Sequence, residues 1–468
     1  MMKRNEDKQL KLVCIDLEEM IPQNHLLKQI NKHISFDFVY DKVAHLYSDK
    51  GRKSIDPVVL VKILIIGYLY GIKSERRLEK EMNLNIAYRW FCGLDISDTV
   101  PDHSTFSQNR IRRFNGTSVF RDIFNEIVMA CIKKGIVTGD AVVSDGSFIP
   151  ANVSAKSKVV LKEVVEKSTV DYLDELDKEL SEMKGYRVPE PVIIEKELYK
   201  SNTDTDCGYI AQPNKKGLGY LTEMSVDTAN GIVTGVDVFP ANIGESQIIL
   251  KHIKKQMRDT GLVIKNLALD AGYDVGAVHR GLEFLGITGY TSCRNYHNNP
   301  MKKGFAYIPE KDYFICRCGK KLTFASISYK KTSQNYCRIY SLARSKCSSC
   351  PHLKKCACDK GRVRLNVSAY YPAFNANLRR TQTVQYQRMK RLRSIWAEGA
   401  FAVLKREHNL KKAHKRGINQ VSEECLFAAI ALNLKRMVKT INTHFDLHKP
   451  SLKYLLYCNY SNVYISFG

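Results

Sequence analysis

The first part of the chain carries apolar residues at helical spacing, interrupted by short polar turns. The longest apolar run, Val58–Ile72, follows Ser54-Ile55-Asp56-Pro57, in which a capping side chain precedes a proline at the first helical position. Further helices are predicted over residues 74–81 and 86–92 and from residue 101 onward. This pattern predicts an all-helical N-terminal domain over residues 1–135.

The last of these predicted helices is basic. It carries Arg110, Arg112 and Arg113. Short helices joined by tight turns, with a basic helix at the end, are typical of a helix-turn-helix that places one helix in the DNA major groove. We expect these three arginines to contact DNA. A helical dimerisation module with a solvated basic face is the alternative.

Beyond residue 136 the pattern changes to short apolar strands separated by helices. Two alternating runs flank Thr228-Ala229-Asn230-Gly231, and Asn-Gly in that position predicts a hairpin. The other predicted elements are helices over 246–257 and 275–285, strands ending at Asp145, Asp270 and Thr291, and a Lys/Glu-rich helical connection over 156–200. This order predicts an α/β core with a mixed central sheet, the first part of which spans residues 136–295.

Three segments follow this first part of the core. Residues 296–388 are more than one connection requires, contain clustered cysteines and basic residues, and are predicted to form an inserted Cys-rich basic subdomain. Helical periodicity returns over 389–445, which we assign to the core as the helices that carry Glu398. The C-terminal tail, 446–468, is rich in tyrosine and indicates no function.

The charge of the chain points to a polyanionic partner. There are 73 Lys and Arg against 48 Asp and Glu, which leaves a formal net charge of +25. Nucleic acid is the usual partner for such an excess, and an anionic membrane surface is the alternative. No apolar stretch is long enough to span a bilayer, because the best candidate, Val58–Ile72, is short and contains Lys62. We therefore expect double-stranded DNA as the partner, and no membrane.

Cysteine usage and the N-terminus indicate the compartment. Residues 1–21 lack the apolar core of a signal peptide. Fourteen cysteines in a chain without an export signal favour reduced thiols or metal ligands over disulfides. We expect a cytoplasmic, nucleoid-associated protein.

Three acids lie in patterns that suit divalent metal ions. Asp145 and Asp270 each end an apolar run and are followed by Gly or Ala-Gly, which predicts a carboxylate at the exposed end of a strand. Glu398 lies on a basic, amphipathic helical pattern. Such a trio is a minimal ligand set for two divalent ions, about 3.5–4 Å apart, in phosphodiester chemistry. The alternative is that each Asp caps a helix or holds a turn, and Asp274 is expected to be a helix N-cap.

The surroundings of Glu398 add to this interpretation. Lys405 follows seven residues later, about two helical turns, so both side chains emerge from one face. Between Arg379 and Arg416 there are twelve Lys or Arg residues and two Glu. The bases are expected to bind DNA phosphates while Glu398 faces a metal. A solvated helix face with an ion pair is the alternative.

Many ordered segments of the chain match one family. They are Asp56-Pro57, Tyr68–Gly71, Phe91–Leu94, Pro101–Phe106, Asp145–Ser147, Val226-Asp227, Gly231–Thr234, Pro240–Asn242, Ala268–Tyr273, Glu398 with Lys405, and Arg416-Gly417. With them the chain resembles bacterial insertion-sequence transposases of the DDE class, whose catalytic core is RNase H-like. The resemblance covers most of positions 40–440.

The resemblance implies roles for particular residues. Asp145, Asp270 and Glu398 would be the catalytic triad, Lys405 would contact DNA near the cut, and Mg²⁺ (or Mn²⁺), as two ions, would be the cofactor. Some relatives carry an Arg four residues before the Glu, where this chain has Ser394. Arg391 or Arg393 is expected to make that DNA contact instead. Arg416 is a further expected DNA contact.

The clustered cysteines suggest a second metal site. Cys316-Arg317-Cys318-Gly319 and Cys347-Ser348-Ser349-Cys350 resemble zinc knuckles, and four thiolates close a structural tetrahedral zinc site. The chosen ligands are Cys318, Cys347, Cys350 and Cys356, with His352 as a substitute. The alternative is a Cys-rich loop in a reducing cell, because the spacing is not that of a regular pair of knuckles.

These observations predict a DNA transposase. The N-terminal region would bind terminal inverted repeats, and the core would cleave the element end and join the freed 3′-hydroxyl to target DNA. Since two ends must be joined, a homodimer on DNA is expected. The alternatives are a catalytically inactive, transposase-derived DNA-binding protein and a structure-selective nuclease that makes no joined products.

Overall fold

The computed structural model describes residues 16–48, 50, 54–167, 172–188, 192–212, 215–294, 300–301, 303–330, 335–347, 350–352, 358–359 and 362–447. The chain divides into two compact units, one of residues up to 123 together with those from 434 onward, and one of residues 124–433. Within the described part of the chain, none of the helices combines the length and the apolar character needed to cross a membrane.

The first unit is helical, as the sequence predicts. Asp56 begins α4 by accepting hydrogen bonds from the backbone N–H groups of Val58 and Val59, and Pro57 occupies the first turn. Most of the apolar side chains of α4 are buried, so this run is a core helix. The helices here are α1 (Leu17–Met20), α2 (Leu26–His33), α3 (Phe38–Val43), α4 (Pro57–Leu69), α5 (Glu75–Leu84), α6 (Ile86–Cys92) and α7 (His103–Asn109); α7 continues as a π-helical turn over Arg110–Phe114, and α8 covers Val119–Lys133.

The second unit contains a six-stranded mixed sheet. Its strands are β1 (Val142–Pro150), β4 (Gly208–Gln212), β5 (Lys215–Asp227), β6 (Val233–Pro240), β7 (Asn266–Leu269) and β8 (Thr288–Thr291). Strands β6, β5 and β1 are antiparallel neighbours, and β7 and β8 continue the sheet in parallel beyond β1, while β4 pairs with the first part of β5. Three antiparallel strands followed by two parallel ones, the first strand at the centre, is the RNase H-like order. The predicted mixed-sheet α/β core with a helical N-terminal region is thereby confirmed.

Helices α10 (Glu245–Thr260) and α11 (Gly276–Phe284) connect the parallel strands, close to their predicted bounds. The hairpin predicted at Asn230-Gly231 joins β5 to β6, and Gly231 has a positive φ of 74°. The remaining helices are α9 (Asp174–Ser181), α12 (Tyr371–Arg380), α13 (Val384–Arg393) and α14 (Gly399–Glu407), together with α15 (Ile418–Leu447), whose residues up to 433 belong to this unit.

The helical connection predicted over residues 156–200 is wrong for most of its length. Strands β2 (Lys158–Lys167) and β3 (Val192–Ser201) pair over ten residues as an antiparallel ribbon, and α9 lies in the described part of the segment between them. Paired β-branched residues, such as Val159-Val160 and Ile193-Ile194, favour strands, and the Lys/Glu composition concealed that signal.

A second, wholly antiparallel sheet lies within the range predicted as an insertion. Its order is β13-β14-β12-β11-β10-β9, and the strands are β9 (Ala306–Ile308), β10 (Tyr313–Ile315), β11 (Lys321–Lys330), β12 (Asn335–Ala343), β13 (Cys358–Asp359) and β14 (Arg362–Ser368). Its core is aromatic, with the ring of Phe314 centred 4.8 Å from that of Tyr340 and 4.9 Å from that of Tyr307. The following helix, α12, packs on β8, where Asn377 hydrogen-bonds both backbone groups of Thr291.

Candidate active site

The parallel pairing of β1 with β7 places two of the predicted acids side by side. The paired positions are Val142 with Leu267 and Val143 with Ala268, and Asp145 and Asp270 each follow two residues later. Because side chains alternate along a strand, both carboxylates lie on the same face as the last pair. Asp270 directly follows β7, as predicted. Asp145 does not end its strand, since β1 continues to Pro150 against β5; it is β7 that stops before the level of Asp145.

Asp145 is largely enclosed, with 18% of its side chain exposed. Its Oδ2 lies 3.2 Å from Nη1 of Arg393, which donates a charge-assisted hydrogen bond. Burial raises the pKa of Asp145 to about 6; the cation of Arg393 opposes the shift, and the negative charges of Asp270 and Glu245 add to it. Enclosure, more than the charged neighbours, therefore makes the ionised form of Asp145 costly.

The chain turns sharply after Asp270. Its Oδ1 accepts a hydrogen bond from the backbone N–H of Gly272 at 2.5 Å, which holds the turn over Ala271–Tyr273. The predicted N-cap role of Asp274 is wrong. Asp274 is buried, its Oδ1 lies 2.8 Å from Nε2 of His279, and its Oδ2 accepts from the backbone N–H of Arg294. Val275 is the N-cap of α11 and has no side-chain cap.

Glu398 lies on a helix, as predicted, at a local irregularity. A π-helical turn over Ser394–Glu398 joins α13 to α14. Single π-turns inside α-helices are frequent at functional sites, because they change the direction of the following side chains. Glu398 is 57% exposed, and its Oε1 lies 3.4 Å from Nη2 of Arg393. One guanidinium thus bridges Asp145 and Glu398.

The structure brings the three predicted ligands to one region without closing them into a cluster. They are not among the described sets of three potential ligands whose donor atoms lie within 4.8 Å of one another. Arg393 lies between Asp145 and Glu398 and supplies positive charge there. Enclosed, mutually repelling carboxylates with only partial neutralisation are a donor set that suits a hard divalent cation. The residues present therefore fit such an ion.

Lys405 extends the site along β1. Its Nζ donates a hydrogen bond to Oγ of Ser147 at 2.7 Å, and Ser147 lies two residues beyond Asp145 on the same face. Burial lowers the pKa of Lys405, and the nearby cation of Lys215 lowers it further, whereas the charge of Asp145 opposes the shift. Of the other predicted DNA contacts, Arg391 is exposed, and Nε of Arg416 donates to the backbone oxygen of Asn152 at 2.9 Å.

Two glutamates of the site were missed at the sequence level. Glu223 on β5 is fully buried opposite Gly146 and accepts hydrogen bonds from Ser144 (2.6 Å) and Tyr273 (2.7 Å). Burial raises its pKa to about 8, and the charges of Asp145 and Glu245 contribute to the rise. An acid inside an otherwise buried strand was the available signal for Glu223. Nothing singles out Glu245, because an acid in a first helical turn is common.

The predicted basic helix of the first unit is only partly available to DNA. Arg110 is 12% exposed and forms an ion pair with Glu75. Arg113 stacks over the ring of Tyr47, with its guanidinium carbon 4.1 Å from the ring centre. Arg112 is exposed. A cavity of about 390 Å³ is lined by Leu46, Gln108, Asn109, Arg112 and Arg113.

Among the described residues, Glu79, Asp102 and His103 of the first unit form a set of three potential ligands whose donor atoms lie within 4.8 Å of one another. Nδ1 of His103 lies 2.8 Å from Oε2 of Glu79, while Nε2 of His103 accepts from Nε of Arg76 at 3.2 Å. Asp102 caps α7 through the N–H of Ser104. These contacts explain the cluster as a hydrogen bond between His103 and Glu79 and a helix cap, which connect α5 with α7.

The predicted zinc ligands are brought together only in part. The sulfur atoms of Cys318 and Cys350 lie 3.3 Å apart, and no disulfide joins them. The hydrogen bond from Cys318 lowers the pKa of the Cys350 thiol. Cys347 is buried three residues before Cys350, and the substitute ligand His352 is half-buried. Cys356 lies outside the described residues.

Comparisons with known proteins extend the argument from geometry. An RNase H-like sheet with neighbouring aspartates beyond its central parallel pair defines a core with an acidic centre. A family described as "Transposase domain (DUF772)" matches residues 15–112, and one described as "Transposase DDE domain" matches residues 315–438. On these matches the chain is a DNA transposase of the DDE class, an enzyme that cuts and transfers DNA strands with divalent metal ions.

Other comparisons add little. No curated protein matches the chain. Among solved structures, a piggyBac transposase synaptic complex with hairpin DNA is 10% identical over 95% of this chain and 86% of its own, with a TM-score of 0.35. A Mos1 mariner paired end complex with Mn is 12% identical over 56% of this chain and 65% of its own, with a TM-score of 0.17. Both likenesses are too distant to inform on this protein.

Proposed function

We propose that Asp145, Asp270 and Glu398 hold the divalent ions of this transposase, with Mg²⁺ as the natural ion and Mn²⁺ as a substitute. The observation that carries the proposal is the register of β1 and β7, which sets the two aspartates side by side. Glu398 lies on the helix that packs over the same strand and shares Arg393 with Asp145. Two ions are expected, since both the attacking and the leaving oxygen need stabilisation.

Divalent ions held by Asp145, Asp270 and Glu398 would supply the positive charge that activates the attacking water or 3′-hydroxyl and stabilises the leaving 3′-oxygen. The protein's own part is to position DNA and balance charge. Arg393 offsets part of the negative charge of Asp145 and Glu398 in the free protein, and its guanidinium is suited to bind a DNA phosphate once the acids hold cations. Lys405, held by Ser147, lies where a phosphate next to the scissile bond would pass. Arg391, which lies on α13 with Arg393, offers a further exposed cation.

Recognition of the DNA ends is assigned to the helical region, for which we retain residues 1–135 as the domain. Arg112 and Arg113 line a cavity together with the amides of Gln108 and Asn109, a combination that suits phosphodiester oxygens. Arg110 is engaged with Glu75 and serves the fold. A homodimer on DNA, with one protomer at each terminal inverted repeat, follows from the need to join two ends. The other domain bounds stay as predicted: 136–295, 296–388, 389–445 and 446–468.

The test uses DNA that carries the flanking ends of the element. Asp145→Ala, Asp270→Ala and Glu398→Ala should each abolish Mg²⁺-dependent cleavage and strand joining while DNA binding survives. Glu407→Ala is the matched control, because Glu407 lies at the end of α14, the helix that directly follows Glu398, and pairs with Arg406. Full cleavage by any of the three variants removes that residue from the set. Cleavage of branched DNA without joined products by the native protein would instead indicate a structure-selective nuclease.

A structural zinc ion near Cys318 and Cys350 is a separate proposal. It is supported by the two close, unbonded sulfur atoms, with Cys347 nearby in sequence and Cys356 as the predicted fourth ligand. Metal analysis of the protein purified under reducing conditions should find one zinc per chain. The double variant Cys318→Ser, Cys350→Ser should lose it, and the absence of stoichiometric zinc in the native protein would end the proposal.

A further inference from the structure

Glu245 occupies an unusual position between the two candidate aspartates. It is the first residue of α10, and 21% of its side chain is exposed. Its carboxylate lies against Gly146, where a Cβ would be 2.9 Å from Oε1, and against Gly272, where a Cβ would be 2.7 Å from Oε2. Gly146 follows Asp145, and Gly272 lies two residues after Asp270. Glycine at both positions leaves room for this one carboxylate.

The position that a Cβ would take at Gly272 sets an upper limit on the distance between the carboxylates of Glu245 and Asp270. A Cβ there would lie 2.7 Å from Oδ1 of Asp270 as well as 2.7 Å from Oε2 of Glu245. The two carboxylate oxygens are therefore separated by at most twice that distance. Oxygens of two acids at such a separation repel each other strongly unless a cation lies between or beside them.

The local helix does not explain why the acid is there. The capping contacts of α10 are made by Gln247, whose side chain accepts from the N–H of Gly244. Glu245 is instead paired with Lys215, whose Nζ lies 3.2 Å from Oε1. Lys215 is the first described residue of β5 and is about one-third exposed, so it is able to move away. A lysine in this place supplies the charge that a metal ion would supply.

We propose that Glu245 is a further ligand to the divalent cations, next to Asp145 and Asp270, and that Lys215 occupies its carboxylate when no ion is bound. The inference rests on the proposed metal centre. The chemical reason for this proposal is that Glu398 is exposed and paired with Arg393. Before DNA binds, the ion's site must therefore be provided by the more enclosed acids on and beside β1 and β7. A third enclosed carboxylate supplies the negative charge that a hard, strongly hydrated cation requires.

The test measures metal binding without DNA and without turnover. Mn²⁺ is titrated into the full chain, and free Mn²⁺ is followed by electron paramagnetic resonance. Glu245→Gln should weaken Mn²⁺ binding by about 10-fold or more, in line with the loss of a group that orients or ligates a metal. Lys215→Gln should bind Mn²⁺ at least as tightly as the native protein, because it removes the competing cation.

If the contact between Glu245 and Lys215 is only a structural salt bridge, a different result is expected for the two variants. In that case Glu245→Gln and Lys215→Gln would lower the melting temperature alike and leave Mn²⁺ affinity unchanged, which would overturn the inference. Glu175→Gln is the matched control, because Glu175 also pairs with a lysine, Lys254, at 2.6 Å and lies away from the site. It should leave Mn²⁺ binding unaltered.

Two further variants separate this inference from the proposal on which it rests. Asp145→Asn and Asp270→Asn should each weaken Mn²⁺ binding. If they do and Glu245→Gln does not, the role of Glu245 is refuted and the metal centre stands; if none of the three does, the metal centre itself is refuted. Should Glu245→Gln fail to fold, Glu245→Asp replaces it, since the shorter side chain withdraws the carboxylate; native Mn²⁺ affinity in that variant would refute the inference.

Discussion

Asp145→Asn is expected to stabilise the metal-free protein while abolishing cleavage. Burial and neighbouring acids raise the pKa of Asp145 from 3.8 to about 6. Between these two values the folded protein keeps a proton on Asp145 that the unfolded chain releases, so the contribution of Asp145 to stability falls as pH rises through this window and is constant above it. Below pH 4 both states carry the proton, and the penalty is absent.

The magnitude follows from the size of the shift. A rise of about two pH units corresponds to about 3 kcal/mol at roughly 1.4 kcal/mol per unit. Asparagine does not ionise and resembles the protonated acid in shape. The variant should therefore exceed the native protein by up to about 3 kcal/mol at pH 8 and match it near pH 4. The hydrogen bond to Arg393 opposes the penalty and is already included in the shifted pKa.

Urea denaturation at pH 4 and pH 8, in the presence of a chelator, measures this difference through the shift in midpoint. Asp140→Asn is the control, because Asp140 precedes the same strand but pairs with Lys265 in solvent, with both side chains more than half exposed. It should show no pH-dependent gain. An Asp145→Asn protein that is no more stable at pH 8, or equally stabilised at both pH values, would refute the electrostatic reasoning.

Three further predictions concern neighbouring residues. The pKa of Glu223 is raised to about 8 by burial, so the native protein should lose stability between about pH 4.5 and pH 8, and Glu223→Gln should reduce that loss in denaturation curves measured across the range. Lys405→Gln should lower strand cleavage and reduce the salt dependence of DNA binding by about one phosphate contact. Lys405→Arg keeps the positive charge, so its cleavage activity and its salt dependence should both stay closer to those of the native protein. Equal activity of the two variants would show that Lys405 does not contact DNA. Arg112→Ala should weaken DNA binding with an unchanged melting temperature, and Arg110→Ala should lower the melting temperature through loss of the Glu75 ion pair; the reverse result in filter-binding and thermal assays would exchange their roles.

Local patterns in the sequence were sufficient for much of the architecture. The capped helix after Asp56, the hairpin at Asn230-Gly231 and the strand before Asp270 all depend on residues close together in the chain. Turn chemistry, capping and the spacing of apolar residues act over a few positions, so they can be recognised in the sequence without knowledge of the tertiary structure. The ribbon of β2 and β3 shows the limit: pairing between residues from 25 (Lys167 with Val192) to 43 (Lys158 with Ser201) positions apart overrode a composition typical of helices.

By itself, the sequence determined the helices of the N-terminal region, most strands and helices of the mixed sheet, and the excess of positive charge, and it suggested Asp145, Asp270 and Glu398 as metal ligands. Only the tertiary structure determined which other side chains surround these acids. Arg393 reaches Asp145 across 248 positions, and Glu245 enters the space left by Gly146 and Gly272. Such contacts arise from how the sheet and its helices pack, and packing depends on the whole fold at once, which no local pattern encodes.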